Sequence, residues 1–463
     1  MKEIKSLSAR TIFMMISTIL VNAISLITAP VFTRIMSTAD FGIFSLFTSW
    51  ISIFSIICGG QTYGTLNNAK IEYDQKTYPD YCFNVFLIST IGCIFAGGIV
   101  LINADFFSGV LHLPQKCLLW LILGAYGTYA INFLSGYLII EKKAVQNLIV
   151  SFIVVLFSTL LSIILIVYIP FFEGYFGRIL GYSIIYFIAA VCSVLYFLRF
   201  ANFKINIGYW KFCLPLSVPL IVHSLSDILM SQSDRIMLMS QKGESVVGVY
   251  SFCYTMALPV SVLSGAINSA WTPEYYELMV KKKIDEIKEH YSRQQFIMTA
   301  MTCGYMLVAP EAVKILSVKE YWGGISIIPL VVVGYYFSYL YLFPANYEFY
   351  SKKTKYIAVS TTMAAIVNII LNFALIPYYG MHGAAVATII SYILLFLAHD
   401  IIARIVLKGY CVKLRFYLKG IIPVAVCFTA CNVFAENMII RWMMGTVIAL
   451  SIIIKIKKQR AII

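Results

Sequence analysis

Apolar stretches of about 20 residues recur from one end of the chain to the other, separated by short polar connections. As an α-helix rising about 1.5 Å per residue, each stretch is long enough to cross the roughly 30 Å of hydrocarbon in a bilayer. The pattern therefore predicts an all-α polytopic membrane protein with about fourteen transmembrane helices. The predicted spans lie at about 11–31, 41–60, 82–103, 117–140, 148–169, 178–198, 212–233, 246–270, 295–316, 325–350, 356–377, 384–404, 420–435 and 438–454.

The first stretch also has features of a secretion signal, because the basic residues Lys2, Lys5 and Arg10 precede an apolar run. The run from Thr11 to Val31 is longer than a typical signal core, and further spans follow it. We therefore expect a first helix that is retained in the protein.

Composition and charge agree with a membrane protein. Of the 463 residues 60% are hydrophobic and only 12% are charged, against about a quarter in soluble domains. The net charge of +14 comes from clusters of Lys and Arg in short connections, such as 142–143, 281–283 and 352–353. Such clusters stay on the cytoplasmic side, so both termini are predicted to be cytoplasmic, and no nucleic-acid partner is expected. The longest polar connection, about 272–293, is predicted to form a cytoplasmic surface helix.

The two halves of the chain repeat three short patterns in the same order. Arg34-Ile35-Met36 recurs as Arg235-Ile236-Met237, Phe41-Gly42 recurs as Val247-Gly248, and Gly174 with Gly177 recurs as Gly380 with Gly383. An offset of about six spans leaves the copies in one orientation and predicts two six-helix lobes related by an axis along the membrane normal. The predicted lobes are residues 1–205 and 206–408, followed by two further helices and a basic tail in 409–463. Lobes of this kind bind substrate between them and alternate its access to the two sides.

Polar side chains inside the spans are the candidates for a substrate cavity, because such groups are costly in lipid unless they face water or a partner. The candidates are Asn22 and Arg34 in the first span, Asp227, Asp234 and Arg235 in the seventh, Asn268 in the eighth, and Asn368 and Asn372 in the eleventh. For the asparagines, helix–helix packing is an open alternative to substrate contact.

The charged candidates have alternatives of their own. Asp227 lies near the middle of its span and either faces the cavity or pairs with His223, one turn earlier. Arg34, Asp234 and Arg235 lie near the outer interface, where they either line the cavity or have a snorkelling or ion-paired role. If both lobes face one cavity, Arg34 and Arg235 are expected on facing walls of its outer half.

Other charged residues near span ends are interpreted as anchors or local pairs. Glu348, and Asp400 with Arg404, are predicted to be interface anchors at inner ends. Glu311 and Lys314 are one turn apart near an outer end, which favours a local ion pair.

Motifs for catalysis and for metal binding are missing from the sequence. It contains no GxxxxGK[ST], HExxH or GxSxG pattern and no large loop that could hold an enzyme site. The eleven cysteines form no CxxC pair and no Cys/His ligand spacing, so neither a metal site nor a disulfide is predicted. We therefore expect no enzyme and no cofactor, while the coupling ion of a transporter, H⁺ or Na⁺, is left open.

Several segments resemble those of Wzx-type polysaccharide flippases, which export O-antigen repeat units. They are Pro30–Met36 followed by Asp40–Leu46, Asn368–Asn372 leading to Leu375-Ile376-Pro377 with Gly380 and Gly383, Ala270–Tyr276, and the Lys352–Lys355 loop. The resemblance runs from about residue 8 to residue 404. It implies the two-lobed fold of the MATE-like multidrug/oligosaccharidyl-lipid/polysaccharide exporters.

The resemblance also implies the cargo, an undecaprenyl-diphosphate-linked oligosaccharide moved from the cytoplasmic to the periplasmic leaflet of the bacterial inner membrane. Relatives carry cationic and polar groups in the central cavity, and Arg34, Arg235, Asp227 and Asp234 are their counterparts here by location. Implied partners are membrane lipid and the polymerase and chain-length proteins of the same pathway. The alternatives are a MATE-type cation-coupled multidrug exporter, which would favour buried acids such as Asp227, and a flippase for a lipid-linked peptidoglycan precursor.

Overall fold

The computed structural model describes residues 24–169, 172–199 and 205–460, and every regular element within these ranges is helical. The all-α prediction is thus confirmed. The helices are α1 Ile24–Ile35, α2 Thr38–Gly59, α3 Leu66–Glu72, α4 Tyr78–Ile102, α5 Ala104–Leu111, α6 Leu118–Ile140, α7 Ala144–Tyr168, α8 Gly174–Leu198, α9 Ile207–Lys242, α10 Glu244–Val280, α11 Ile284–Leu316, α12 Ile328–Leu340, α13 Leu342–Tyr350, α14 Thr354–Ile401, α15 Leu414–Val433 and α16 Met438–Arg460. Short 3-10 segments lie at Thr62–Thr65, Gln115–Cys117 and Lys319–Ile327, and a π-helical segment lies at Ile402–Val406.

The helices have the length and surface of membrane spans. Eleven helices in the described part of the chain are long and apolar enough to cross a bilayer, and Ile24–Ile35 and Met438–Ser451 are shorter apolar helices. In α7 the most apolar stretch has a mean hydropathy of 2.9, yet only 17% of it is buried inside the protein, as expected for a helix that faces lipid. A multi-pass membrane protein is confirmed, whereas the count of fourteen spans is not.

The long helix α14 is broken at Gly380. This residue has φ 53° and ψ −130°, a conformation that is open to glycine and strained for other residues. A Cβ added at Gly383 would lie 2.5 Å from the carbonyl oxygen of Leu375. In a straight helix these two residues would be about 12 Å apart, so the chain turns back between them. The predicted eleventh and twelfth spans are therefore the two halves of α14.

The predicted surface helix at about 272–293 is wrong. α10 continues to Val280, and α11 begins at Ile284 and runs without a break into its apolar part. Lys282 lies between them with φ 55°, so the chain reverses there within a few residues. The mixed charges of this connection lie on the ends of two long helices.

Three lysine pairs of the predicted cytoplasmic clusters end helices with the same turn. After α6, α10 and α13, the residues Lys142, Lys282 and Lys352 have φ values of 62°, 55° and 57°. The amide of the lysine after each of these donates to a carbonyl five residues earlier, as in Lys143 to Leu138 (2.8 Å) and Lys353 to Glu348 (3.1 Å). This is the Schellman motif, with lysine at the position where glycine is most common.

The described chain forms two compact units, of which the first ends at Gly248 and the second begins at Val249. The first unit therefore includes α9, which the predicted lobe boundary at 205/206 assigns to the second lobe. α9 is tied to the first unit by polar contacts, among them a hydrogen bond from Trp210 Nε1 to the carbonyl oxygen of Asn84 (2.9 Å). The six-helix lobe boundaries remain a prediction.

The repeated glycines Gly42 and Gly248 meet each other within the first unit. A Cβ on Gly42 would lie 2.0 Å from the carbonyl oxygen of Glu244, and one on Gly248 would lie 1.9 Å from that of Thr38. The contact is reciprocal, since each glycine packs against the residue four positions before the other. Such reciprocity is a property of contacts between equivalent surfaces.

Candidate functional site

In the first unit, four polar side chains form a network between α2 and α9. Ser49 of α2 donates to Gln232 Oε1 (2.9 Å), and Arg235 Nη1 donates to the same oxygen (3.1 Å). Arg235 also reaches Asp234 Oδ1 (3.4 Å), and Asp234 is only 1% exposed. The predicted Asp234 and Arg235 are therefore brought together as a buried ion pair. Gln232 was missed, because an amide flanked by two serines gives no signal of its own in the sequence.

Arg235 is held by its own helix. Its Nη1 also donates to the carbonyl oxygen of Ser231 (2.8 Å), and the residue is 9% exposed. Hydrogen bonds to a charged group in low-dielectric surroundings are strong and fix its position. The guanidinium therefore belongs to the packing between α9 and α2.

Asp227, by contrast, is exposed at the surface of the first unit. Among the described residues no hydrogen bond or ion pair reaches its carboxylate, and the predicted pair with His223 is not formed. Ser224, one turn away, accepts a hydrogen bond from Gln61 Nε2. Along α9 the residues Ser224, Asp227, Ser231 and Asp234 follow one another at intervals of three or four and form a polar stripe. Within this stripe Asp234 is held in the network with α2, whereas Asp227 presents an accessible carboxylate.

Arg34 lies at the end of α1 and is also exposed. Its Nη1 donates to the carbonyl oxygen of Pro30 (2.8 Å). Nearby, Arg178 of α8 lies over the rings of Phe32 (3.8 Å) and Phe44 (4.0 Å), a cation–π arrangement that joins α8 to α1 and α2. No local pattern indicates a role for Arg178, because its aromatic partners lie more than 130 residues away along the chain.

The asparagine candidates of the second unit are distributed over two places. Asn346 Nδ2 donates to Asn268 Oδ1 (2.8 Å), and Asn372 Nδ2 donates to Asn368 Oδ1 (3.0 Å). Asn368 and Asn372 are fully buried, whereas Asn268 is half-buried beside a small cavity lined by Trp271 and Tyr291. Asn22, the remaining candidate, lies outside the described residues.

Two predictions about charged residues at span ends are wrong. Glu311 does not pair with Lys314: both of its carboxylate oxygens accept from Arg441 of α16, with Nη1 to Oε2 at 3.2 Å. Glu348 is not an interface anchor, because it is 0% exposed and lies 2.9 Å from Nδ1 of His399 on α14. Both partners are distant in sequence, which is why local spacing did not reveal them.

The predicted pairing of Asp400 with Arg404 is present, with Arg404 Nε 2.6 Å from Asp400 Oδ2. Asp400 is buried, so the predicted role of interface anchor does not apply to it and stays a prediction for Arg404 alone.

A cavity of about 440 Å³ lies in the second unit between α11, α15 and α16. Its walls are mostly apolar, with Phe296, Cys303 and Val426 among them, and Lys419 lies at its edge. Ser292, Gln295, Thr299 and Ser451 also line it, so the cavity combines apolar walls with hydrogen-bonding groups.

Comparison with known proteins gives the chain a family and a fold. The family described as polysaccharide biosynthesis protein matches residues 7–279. Protein 1 of the Lsg locus of Haemophilus influenzae is 29% identical over 182 residues, which are 37% of this chain and 45% of that protein. The chain therefore spans less than half the length of this curated relative.

Solved structures match over nearly the whole chain. The lipid II flippase MurJ in an inward closed conformation has a TM-score of 0.74 at 15% identity, with 98% of this chain and 100% of that chain covered. An inward-facing multidrug resistance transporter of the MATE family, in the MOP superfamily, has a TM-score of 0.66 at 13% identity, with 86% and 98% covered. At these identities the likeness establishes the fold.

Proposed function

Because the chain belongs to the polysaccharide biosynthesis protein family, whose match covers residues 7–279, we propose that it is a flippase for an undecaprenyl-diphosphate-linked oligosaccharide. The resemblance to Wzx-type flippases of the MATE-like superfamily is confirmed by that match and by the fold. The family match is the observation that carries the proposal. The cargo moves from the cytoplasmic to the periplasmic leaflet of the bacterial inner membrane, and both termini of the protein are cytoplasmic.

The physical task explains why a protein of this kind is required. A sugar–diphosphate head cannot cross hydrocarbon unaided, because its hydroxyl groups and charges would lose water without replacement. A polar path through the protein replaces that water, and alternation of its openings moves the head while the isoprenoid chain stays in lipid.

The first unit supplies exposed groups of the right chemistry. Arg34 is exposed and can donate two parallel hydrogen bonds to a phosphate. Asp227 is exposed on the polar stripe of α9 and can accept hydrogen bonds from sugar hydroxyls. The ion pair of Asp234 and Arg235, with Gln232 and Ser49, fixes this part of α9 against α2.

One observation favours a second function, a cation-coupled multidrug exporter. The Asp227 carboxylate has no protein partner among the described residues, and a cationic drug would bind to such an acid. The proposed flippase predicts instead that Asp227→Asn leaves tolerance of cationic dyes unchanged.

Deletion of the gene from its native host tests the proposal. We expect lipid-linked repeat units to accumulate on the cytoplasmic face and surface polysaccharide to disappear, with unchanged drug tolerance. Complementation with Arg34→Gln should restore less polysaccharide than Arg34→Lys, because lysine keeps the charge but loses the planar fork. Membrane abundance of each variant is measured beside export.

The matched control is Arg293→Gln, which makes the same change at an exposed pair with Glu289 on α11. It should export as the unchanged protein does. If the deletion strain keeps its surface polysaccharide and becomes sensitive to cationic dyes, the flippase proposal is wrong and the drug-exporter proposal takes its place.

A further inference from the structure

A carboxylate and an imidazole lie together in the interior of the second unit. Glu348 of α13 and His399 of α14 are both 0% exposed, and Glu348 Oε1 is 2.9 Å from His399 Nδ1. Two ionisable groups without solvent contact cost several kcal/mol in desolvation, so a pair of this kind calls for a reason.

The pair is not saturated with hydrogen bonds. Glu348 Oε2 and His399 Nε2 are buried and have no hydrogen-bond partner among the described residues. Buried polar atoms in folded proteins are nearly always bonded, and exceptions are often functional. Each half of the pair thus keeps one free position at which a proton can be gained or lost.

The surrounding charged and titratable groups come from four elements. Asp400, the next residue of α14, is bonded to Arg404 of the π-helical segment, with 2.6 Å between Oδ2 and Nε. The ring of Tyr341, at the junction of α12 and α13, lies 5.5 Å from the His399 ring. Tyr417 of α15 and Tyr410 of the preceding connection share a hydroxyl contact of 2.5 Å. Arg404 is thus bonded to Asp400, and within the described ranges no third charged side chain is hydrogen-bonded to Glu348 or His399.

The backbone is irregular on both sides of the pair. α12 ends at Leu340 and α13 begins at Leu342, six residues before Glu348. The π-helical segment Ile402–Val406 follows His399 within three residues. π-Helical segments inside helices are frequent at functional sites, where the ladder of hydrogen bonds is easier to rearrange.

The same turn exists in the first unit with an apolar residue at the position of Glu348. Lys143 and Lys353 close identical Schellman turns, on the carbonyls of Leu138 and Glu348. Ser193 lies 206 residues before His399, the spacing that separates Gly174 from Gly380 and Gly177 from Gly383. The turn therefore forms over Leu138 in one unit, so its geometry does not require Glu348 in the other.

The charge of the pair depends on one proton. With Nδ1 protonated and donating to the Glu348 carboxylate, and with Nε2 bare, the net charge is −1. A hydronium ion that transfers its proton to Nε2 forms one N–H bond, leaves a water molecule, and brings the net charge to zero. A dry interior disfavours a buried net charge, so entry of water to the site and a change in the charge of the pair are expected to accompany each other.

We propose that Glu348 and His399 form a proton-binding site that couples transport to the proton gradient, an inference that rests on the proposed function. Proton binding from the periplasmic side and release to the cytoplasm would then accompany each export cycle. The irregular backbone on either side of the pair allows the opening that release requires.

Proton binding is measured on the purified full-length protein in lipid nanodiscs. Infrared difference spectra between about pH 5 and about pH 8 should show a change in the imidazole bands of His399 when Nε2 is protonated, together with a shift of the band of the Glu348 carboxylate to which Nδ1 donates. His399→Asn should remove both changes, and Glu348→Gln should remove the shift of the carboxylate band. The exposed pair Glu274 and His290, 3.5 Å apart, gives the control: Glu274→Gln and His290→Asn should leave those bands unchanged.

Coupling is measured in the deletion strain. Surface polysaccharide should fall to the level of the empty vector with either buried variant, and a protonophore should have the same effect on the unchanged protein. If a single variant fails to accumulate, the double variant Glu348→Leu, His399→Phe replaces the pair by apolar groups of similar volume. Such replacements are often neutral or stabilising, so this protein should accumulate and still not export.

The outcomes separate the two proposals. Normal export by the double variant would overturn the coupling role and leave the flippase intact. An absence of Glu348-dependent infrared bands would overturn the proton site itself. Unchanged surface polysaccharide after gene deletion would overturn the flippase, whereas the infrared titration would still decide whether the pair binds a proton.

Discussion

Two turns of the protein have the same backbone conformation but cover different buried side chains. One joins α6 to α7, and the other joins α13 to α14. In both, a lysine with positive φ ends the helix, and the next lysine amide closes the turn. The turn after α6 covers Leu138, which is 3% exposed. The turn after α13 covers Glu348, which pairs with His399. A repeated fold can therefore keep its backbone while one copy carries an ionisable pair that packing alone does not need.

A second difference lies where the helices that follow these turns fold back. In the first unit, a Cβ at Gly177 would lie 3.1 Å from a side-chain atom of Ile166. In the second, a Cβ at Gly383 would lie 2.5 Å from the backbone oxygen of Leu375. The second reversal is thus tighter and leaves less room for change.

The largest effect is expected from placing a carboxyl in the first turn. Leu138→Glu buries an acid without a partner and should lower the free energy of unfolding by about 3–5 kcal/mol. Denaturant titration in detergent micelles measures the loss. Leu138→Met, which keeps the volume, should cost less than about 1.5 kcal/mol.

Adding the partner sharpens this test. Leu138→Glu with Ser193→His places the two side chains of the pair at the positions that correspond along the chain, and if these positions meet in space part of the lost stability should be recovered. No recovery would mean that the two turns surround their buried residues differently, and that the correspondence ends at the backbone.

A smaller effect is expected at the two glycines. Gly383→Ala should cost about 1–3 kcal/mol, because backbone atoms must move to admit the methyl group. Gly177→Ala should be close to neutral, since the better helix propensity of alanine, about 1 kcal/mol, offsets a contact with a movable side chain. The same titration compares them, and equal losses would show that the two reversals are equally tight.

The smallest effect is expected at the lysines with positive φ. Lys142→Gly and Lys352→Gly relieve the cost of the left-handed conformation, about 1–2 kcal/mol, but raise the entropy of the unfolded chain by a similar amount. Each should therefore be neutral or stabilising by less than about 1 kcal/mol. A loss at Lys352 alone would indicate that this side chain has a role that Lys142 lacks.

Much of the fold follows from local sequence. Long apolar runs predict membrane helices because a bilayer excludes unpaired backbone groups, and each predicted span in the described chain overlaps a helix. The helices α9, α10 and α11 extend about ten residues beyond one end of their predicted spans. The glycines Gly380 and Gly383 mark a chain reversal. Gly380 has a backbone conformation that favours glycine, and a side chain at Gly383 would collide with the backbone of Leu375. The connection at 272–293 was misread because its charges indicate exposure but not where one helix ends and the next begins.

The candidate site residues were visible in the sequence, but their partners and their exposure were not. The sequence identified Asp227, Asp234, Arg235 and Asn372 as unusual, because a polar group inside an apolar span is visible without any knowledge of its neighbours. Only the tertiary structure separated the buried Asp234 from the exposed Asp227, and only it joined Glu311 to Arg441 and Glu348 to His399. The cost of a charge in a membrane depends on what lies within a few ångströms of it, and for these residues that is a side chain from a distant helix.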